Sequence, residues 1–188
     1  MTLIQAMEEI SDKYHNTFHK QVRKYTGEPY TVHTKAVADT VFAATYHYGL
    51  AAAAHGHDLF EDTILTPDGL RTELAARGID LLDGKVDKLI TLIIELTDVY
   101  TAKAYPYLNR AERKKLEAAR LGTISDDAKT IKLADLKDNT DSIVSFDKGF
   151  AKIYLKEKSY VLPFLVGGDI TLWNEVKEQL EKELKGIN

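Results

Sequence analysis

The run Ala51-Ala52-Ala53-Ala54-His55-Gly56-His57-Asp58-Leu59-Phe60-Glu61-Asp62 ends an alanine-rich stretch in an imidazole and three carboxylates. A helix over 50–61 makes His57 and Glu61 i,i+4 neighbours, and likewise Asp58 and Asp62. The residues upstream on the same edge, Leu50, Ala53 and Ala54, are apolar and suit an interior position. Burying these carboxylates and an imidazole without partners would cost several kcal/mol. A bound cation is the simplest compensation, so the segment reads as half of a metal site.

The rest of the composition narrows the setting. At 188 residues the chain is expected to form one domain, 1–188, with enough length to bury a sizeable core. A net charge of −4 does not favour nucleic acid or an anionic membrane surface as a partner. With no cysteine, thiolate ligands, disulfides and thiol nucleophiles are excluded. The N-terminus carries acids early and is not expected to be a signal peptide. The most apolar later stretch, Leu89 to Leu96, is too short to span a bilayer. A cytoplasmic protein acting on a small molecule is the expectation, and nothing in the sequence excludes a homodimer.

The hydrophobic pattern is helical nearly throughout, with no alternating strand pattern, so the fold class is all-α, a bundle of about eight to ten helices. Helices are predicted near 2–24, 33–48, 50–61, 67–77, 80–98, 109–121, 126–145, 149–165 and 170–186. Gly49, Gly78 and Gly122 follow helical stretches where a left-handed residue is expected. Thr66-Pro67-Asp68 reads as an N-cap, a first-turn proline and a first-turn acid. Thr101 to Asn109, with Pro106, is the longest expected loop.

A metal site needs donors beyond His57 and Asp58. His33 opens a helix whose face runs through Val37, Val41 and Ala44. Alone, a histidine there is more often a hydrogen-bonded core residue than a ligand. Asp135 follows Ile131 and precedes Asn139 at i,i+4, a polar continuation of an apolar stripe; alone, a solvated helix edge explains it equally well. Together, His33, His57, Asp58 and Asp135 supply two imidazoles and two carboxylates. That set suits one divalent ion, Mn²⁺, Fe²⁺ or Zn²⁺, with positions left for water. Two carboxylates balance the ion's charge, and water on such an ion becomes a nucleophile near neutrality. Glu61 and Asp62, one turn on, can orient that water, accept its proton or protonate a leaving oxygen. His15, His19, His47 and His55 are expected to be incidental.

These residues resemble the HD superfamily of metal-dependent phosphohydrolases. His57-Asp58-Leu59-Phe60-Glu61-Asp62-Thr63 resembles the HDxxEDT box of the RelA/SpoT hydrolase domain. Gly27-Glu28-Pro29-Tyr30-Thr31-Val32-His33 is similar to that family's GxPYxxH segment, and Lys132-Leu133-Ala134-Asp135 with Asn139 to its KLADxxxN segment. The resemblance covers roughly residues 5 to 160 and points to the small alarmone hydrolases, with no synthetase domain expected. It implies Mn²⁺-dependent hydrolysis of the 3′-pyrophosphate of ppGpp or pppGpp, giving GDP or GTP and pyrophosphate. His33, His57, Asp58 and Asp135 would be ligands, and Glu61 and Asp62 would activate water. Arg23 or Lys24, Asn139 and Tyr154 would contact the nucleotide. Thr34 stands where the family usually has proline, and Leu136-Lys137-Asp138 replaces its usual Arg-Leu-His. Those changes alter the cations near the phosphates and keep two alternatives open. One is an HD phosphohydrolase for another nucleotide, such as the 2′-phosphate of NADPH or a nucleoside monophosphate; the other is a catalytically silent nucleotide sensor.

Overall fold

A computed structural model describes residues 1–187, which fall into two compact units, Met1–Thr97 and a second beginning at Asp98. Helices account for nearly all regular structure; among the described residues the only β-type pairings are two isolated bridges. The all-α expectation is borne out.

The first unit is built around its alanines. Helix α1 (Leu3–Ser11) starts at a capping box between Thr2 and Gln5 and runs directly into a π-helical segment, Asp12–Phe18. After an irregular stretch come α2 (Thr31–Thr45), α3 (Tyr48–His55), the single turn α4 (Leu59–Asp62), α5 (Pro67–Ala76) and α6 (Lys85–Leu96). Ala51 to Ala54 of α3 are completely buried. Side chains this small let α1, α2 and α6 all pack against α3. Met7, Ile10, Val37, Val41 and Ile93 complete the core, each worth roughly 1.5–3 kcal/mol when buried.

The second unit is organised on α8 (Asp126–Phe146), packed by α9 (Lys148–Val161) and α10 (Ile170–Ile187), with α7 (Arg110–Leu121) against α9. The connection from Asp98 to Asn109 is irregular, as expected. Its start is held by the buried Glu117, which accepts from the backbone N–H groups of Val99 and Tyr100 at 3.1 and 3.0 Å and pairs with Arg120. Before α10 the chain touches α8 at backbone distance. A Cβ on Gly168 would lie 3.1 Å from the Thr130 nitrogen, so a larger residue there would need the backbone to give by a few tenths of an ångström.

Three sequence expectations are corrected. The predicted helix 2–24 ends at Phe18, because the chain turns there into a short hairpin whose bridge joins Val22 and Pro29. The predicted helix 50–61 breaks at Gly56 and resumes only at Leu59. A Cβ on Gly56 would meet Met7 Cε at 2.5 Å and Ile93 Cδ1 at 2.9 Å, so the core closes over a bare backbone there. The left-handed residue ending α2 is Tyr46 (φ 51°), not Gly49, which lies inside α3, and Gly122 is right-handed; Gly78 does take φ +72°.

Candidate metal centre

His33 is the third residue of α2 and His57 sits in the turn that follows α3; both are buried. His57 Nδ1 lies 2.8 Å from the Ala54 carbonyl oxygen. A carbonyl only accepts, so Nδ1 carries a hydrogen, and in the neutral imidazole Nε2 has the lone pair that a metal needs. That Nε2 is 2.9 Å from Oδ2 of Asp58, the residue just before α4. His33 Nε2 is 3.8 Å from the same oxygen, and the two imidazole rings meet edge-on with centroids 5.1 Å apart. One ligand atom from each of the three residues lies within 4.8 Å of the others.

The arrangement suits a cation. An imidazole nitrogen and a carboxylate oxygen held 2.9 Å apart are joined favourably by a proton or by a metal ion that both can bind. The mixed nitrogen and oxygen donors are those of a divalent transition metal. His57 has the outer-sphere hydrogen bond to a backbone carbonyl that orients a ligating imidazole. Asp58 has its own: the Tyr30 hydroxyl donates to Oδ2 at 2.5 Å. Tyr30 comes from the hairpin before α2, and its N–H donates to the Gln21 carbonyl.

The break at Gly56 changes how the Glu-Asp pair is presented. His57 lies outside any helix, so the expected ladder from His57 to Glu61 is lost. The Asp58–Asp62 relation survives, since the Asp62 N–H donates to the Asp58 carbonyl at 2.9 Å. Glu61 and Asp62 are both at the surface. Although Asp62 is exposed as a residue, the chain crowded around its carboxyl pushes its pKa up, with the Asp58 charge adding to the shift; bonds from Gln21 and Tyr30 partly oppose it. A carboxyl held above the ordinary aspartate range is a better proton acceptor than a free aspartate.

Arg23 and Lys24 lie on the same hairpin as Tyr30. Arg23 is half-buried, with its N–H on the Glu28 carbonyl, whereas the Lys24 ammonium lies over the Tyr25 ring at 4.7 Å.

The other expected residues belong to the second unit. Asp135 is buried on α8 with both oxygens engaged, by Lys132 Nζ at 2.8 Å and Asn139 Nδ2 at 2.5 Å. Tyr154, on α9, is buried beneath the Lys158 ammonium, 5.2 Å from its ring centre. Lys158 is pushed down to about 8 by burial and by the like charges of Lys132 and Lys114, against the pull of Asp135 and Asp98. Burial would raise Asp98, but Lys132, Lys114 and Lys158 together hold it below the usual carboxylate range.

Sequence reasoning passed over several of these residues. Tyr30 lies within the Gly27–His33 segment, and spacing alone assigns it no part. His15, expected to be incidental on a polar helix, is fully buried against Tyr30. Lys114 and Lys158 converge on Asp98 from separate helices, which no local spacing reveals.

Comparison with known proteins shows that the chain shares an all-helical fold with a solved structure. A solved structure described as a metazoan ortholog of SpoT that hydrolyzes ppGpp and plays a role in starvation responses matches with a TM-score of 0.78. That match has 22% sequence identity and covers 100% of this chain and 98% of the other. A guanosine-3′,5′-bis(diphosphate) 3′-pyrophosphohydrolase of Haemophilus influenzae is 36% identical over 73 residues. Those residues are 38% of this chain and only 11% of that relative. No family model matches the chain.

Proposed function

We propose that this chain is a metal-dependent phosphohydrolase that removes the 3′-pyrophosphate of ppGpp or pppGpp, releasing pyrophosphate and GDP or GTP. The observation that carries the reading is the His33–His57–Asp58 cluster, backed by Tyr30 and followed by Glu61 and Asp62, on a fold shared with a ppGpp hydrolase. His33, His57 and Asp58 would hold one divalent ion, Mn²⁺ in this proposal. Asp135 is assigned as a fourth ligand on the resemblance of its KLAD segment. Bound there, such an ion would supply charge neutralisation and a lowered water pKa.

The chain's own residues would do the remainder. Asp62, with its raised pKa, takes the proton of the attacking water, and Glu61 orients that water. Attack on the phosphorus joined to the 3′-oxygen breaks that P–O bond. The 3′-oxygen leaves as a hydroxyl, receiving its proton from the acid formed in the first step. Arg23 or Lys24 would meet the phosphates, and Asn139 and Tyr154 the nucleoside. No described helix is long and apolar enough to cross a membrane, which is compatible with action in the cytoplasm. A second reading, another nucleotide substrate, is favoured by Asp138, an added acid beside the KLAD segment.

The test is parallel release of pyrophosphate and phosphate, with excess MnCl₂, from ppGpp, NADPH, dGMP and a dinucleotide. Pyrophosphate from ppGpp alone is expected. Phosphate from another substrate moves the function to the second reading, and silence on all four overturns the enzyme assignment.

A further inference from the structure

The reaction just described leaves two buried imidazoles unused, His55 and His15, and His15 is the one tied to the candidate metal centre. His15 lies in the π-helical segment Asp12–Phe18 and is fully buried. Its Nδ1 is 2.7 Å from Gln21 Oε1, and Gln21 Nε2 donates to Asp62 Oδ2 at 2.8 Å. Its ring lies 4.8 Å from the ring of Tyr30, whose hydroxyl donates to Asp58. One imidazole therefore backs both side chains that hold the two carboxylates. The backbone reinforces the unit, since the Gln21 N–H donates to the His15 carbonyl and the Tyr30 N–H to the Gln21 carbonyl.

Proton bookkeeping fixes the sense of this chain. An ionised carboxylate only accepts, so Gln21 must turn its NH₂ toward Asp62 and its oxygen toward His15. The oxygen needs a donor, so His15 carries its hydrogen on Nδ1. Its Nε2 is then a buried acceptor, and it has no hydrogen-bond partner among the described residues. Burial lowers the pKa of His15 and keeps it neutral, outweighing the pull of Gln21, Asp58 and Asp62. A histidine present only for packing would gain nothing from a buried bare nitrogen. The wide π turn that carries it inward is a local departure frequent at functional sites.

We propose that His15 is a positioning residue: its Nδ1–H locks the Gln21 amide so that the NH₂ fixes Asp62, and its ring backs Tyr30 against Asp58. The proposal rests on the hydrolase reading for its effect on rate, but its hydrogen-bond geometry can be tested without substrate.

Two measurements decide it. In ¹⁵N-labelled wild-type protein, long-range ¹H–¹⁵N correlations should show His15 as the neutral Nδ1–H tautomer; an Nε2–H signal overturns the proposal even if no substrate is turned over. For rate, His15→Phe keeps a buried ring and removes the donor, whereas His15→Asn keeps an N–H near Nδ1. His15→Phe should lower kcat about 10–100-fold, the usual range for an outer-sphere partner, with Mn²⁺ affinity and KM little changed. His15→Asn should recover most of that loss, and His15→Phe combined with Gln21→Leu should be no worse than the poorer single variant. An unchanged kcat in folded His15→Phe, or an Asn variant as slow as the Phe variant, reduces His15 to packing. Should the wild type hydrolyse none of the four nucleotides, the hydrolase reading fails, and the tautomer alone still decides the hydrogen-bond network.

Discussion

Each unit holds one buried or half-buried aspartate that the sequence marked as a ligand, and they hold it in opposite ways. Asp58 in the first unit is oriented by a tyrosine hydroxyl and flanked by two imidazoles. Asp135 in the second unit is met by the Lys132 ammonium and the Asn139 amide, with Lys158 also acting on it. The Tyr30 hydroxyl orients the Asp58 carboxylate without cancelling its charge, whereas the Lys132 ammonium offsets that of Asp135. Around Asp135 and Asp98 the three ammoniums of Lys114, Lys132 and Lys158 outnumber the two carboxylates. The surplus there is positive. The first unit thus orients its aspartate with a hydroxyl beside two imidazoles, whereas the second surrounds its own with ammonium groups.

The sharpest way to break this comparison is Asp58→Ala. It removes the one carboxylate shared by both imidazoles, and should abolish Mn²⁺ uptake, followed by calorimetry or Mn²⁺ EPR, together with turnover. Retained Mn²⁺ would mean that the first unit is not the cation site. The next largest effect is expected of Glu61→Gln. It should leave Mn²⁺ binding intact and lower kcat about 10²–10⁴-fold, the range for a single acid–base group. Parallel loss of metal would instead make Glu61 a ligand.

How much of this was legible in the sequence follows from the range of the forces involved. His33, His57 and Asp58 stand out because polar donors at the edge of apolar runs demand an explanation wherever they pack. The number and order of most helices follow from the 3.6-residue period. The π-helical segment defeats that period: its hydrogen bonds reach back five residues, from the His19 N–H to the Tyr14 carbonyl, so a face read at four misplaces His15. The break at Gly56 was hidden for a different reason. Nothing local forbids a helix through Ala54-His55-Gly56-His57, and the close approach of Met7 and Ile93, far away in the chain, to the place a Cβ would take is visible only in the folded protein. The lysines around Asp98 come from three helices, and only folding gathers them.

The smallest expected effect concerns the second unit's surplus charge and appears in stability, not rate. Lys158 has its pKa pushed down to about 8 by burial and by Lys132 and Lys114. For a base, a lowered pKa means that the folded state binds its proton less tightly than the unfolded chain, where the value is near 10.4. Below about 8 the ammonium is charged in both states, and its full cost weighs on the fold. As pH rises from about 8 toward the unfolded value, the folded protein releases the proton first, so stability should climb across that window. The shift sets an upper bound of about 3 kcal/mol on that cost. Lys158→Met keeps the stem over Tyr154 and removes the charge, so it should raise the thermal midpoint at neutral pH and flatten the climb above pH 8. Thermal melts of both proteins across pH 7–10 read this directly. A Met variant that melts lower than the wild type at neutral pH would mean that Lys158 is paid for by Asp98 and Asp135. The second unit would then hold no surplus cation, and the contrast with Asp58 would rest on hydrogen bonds alone.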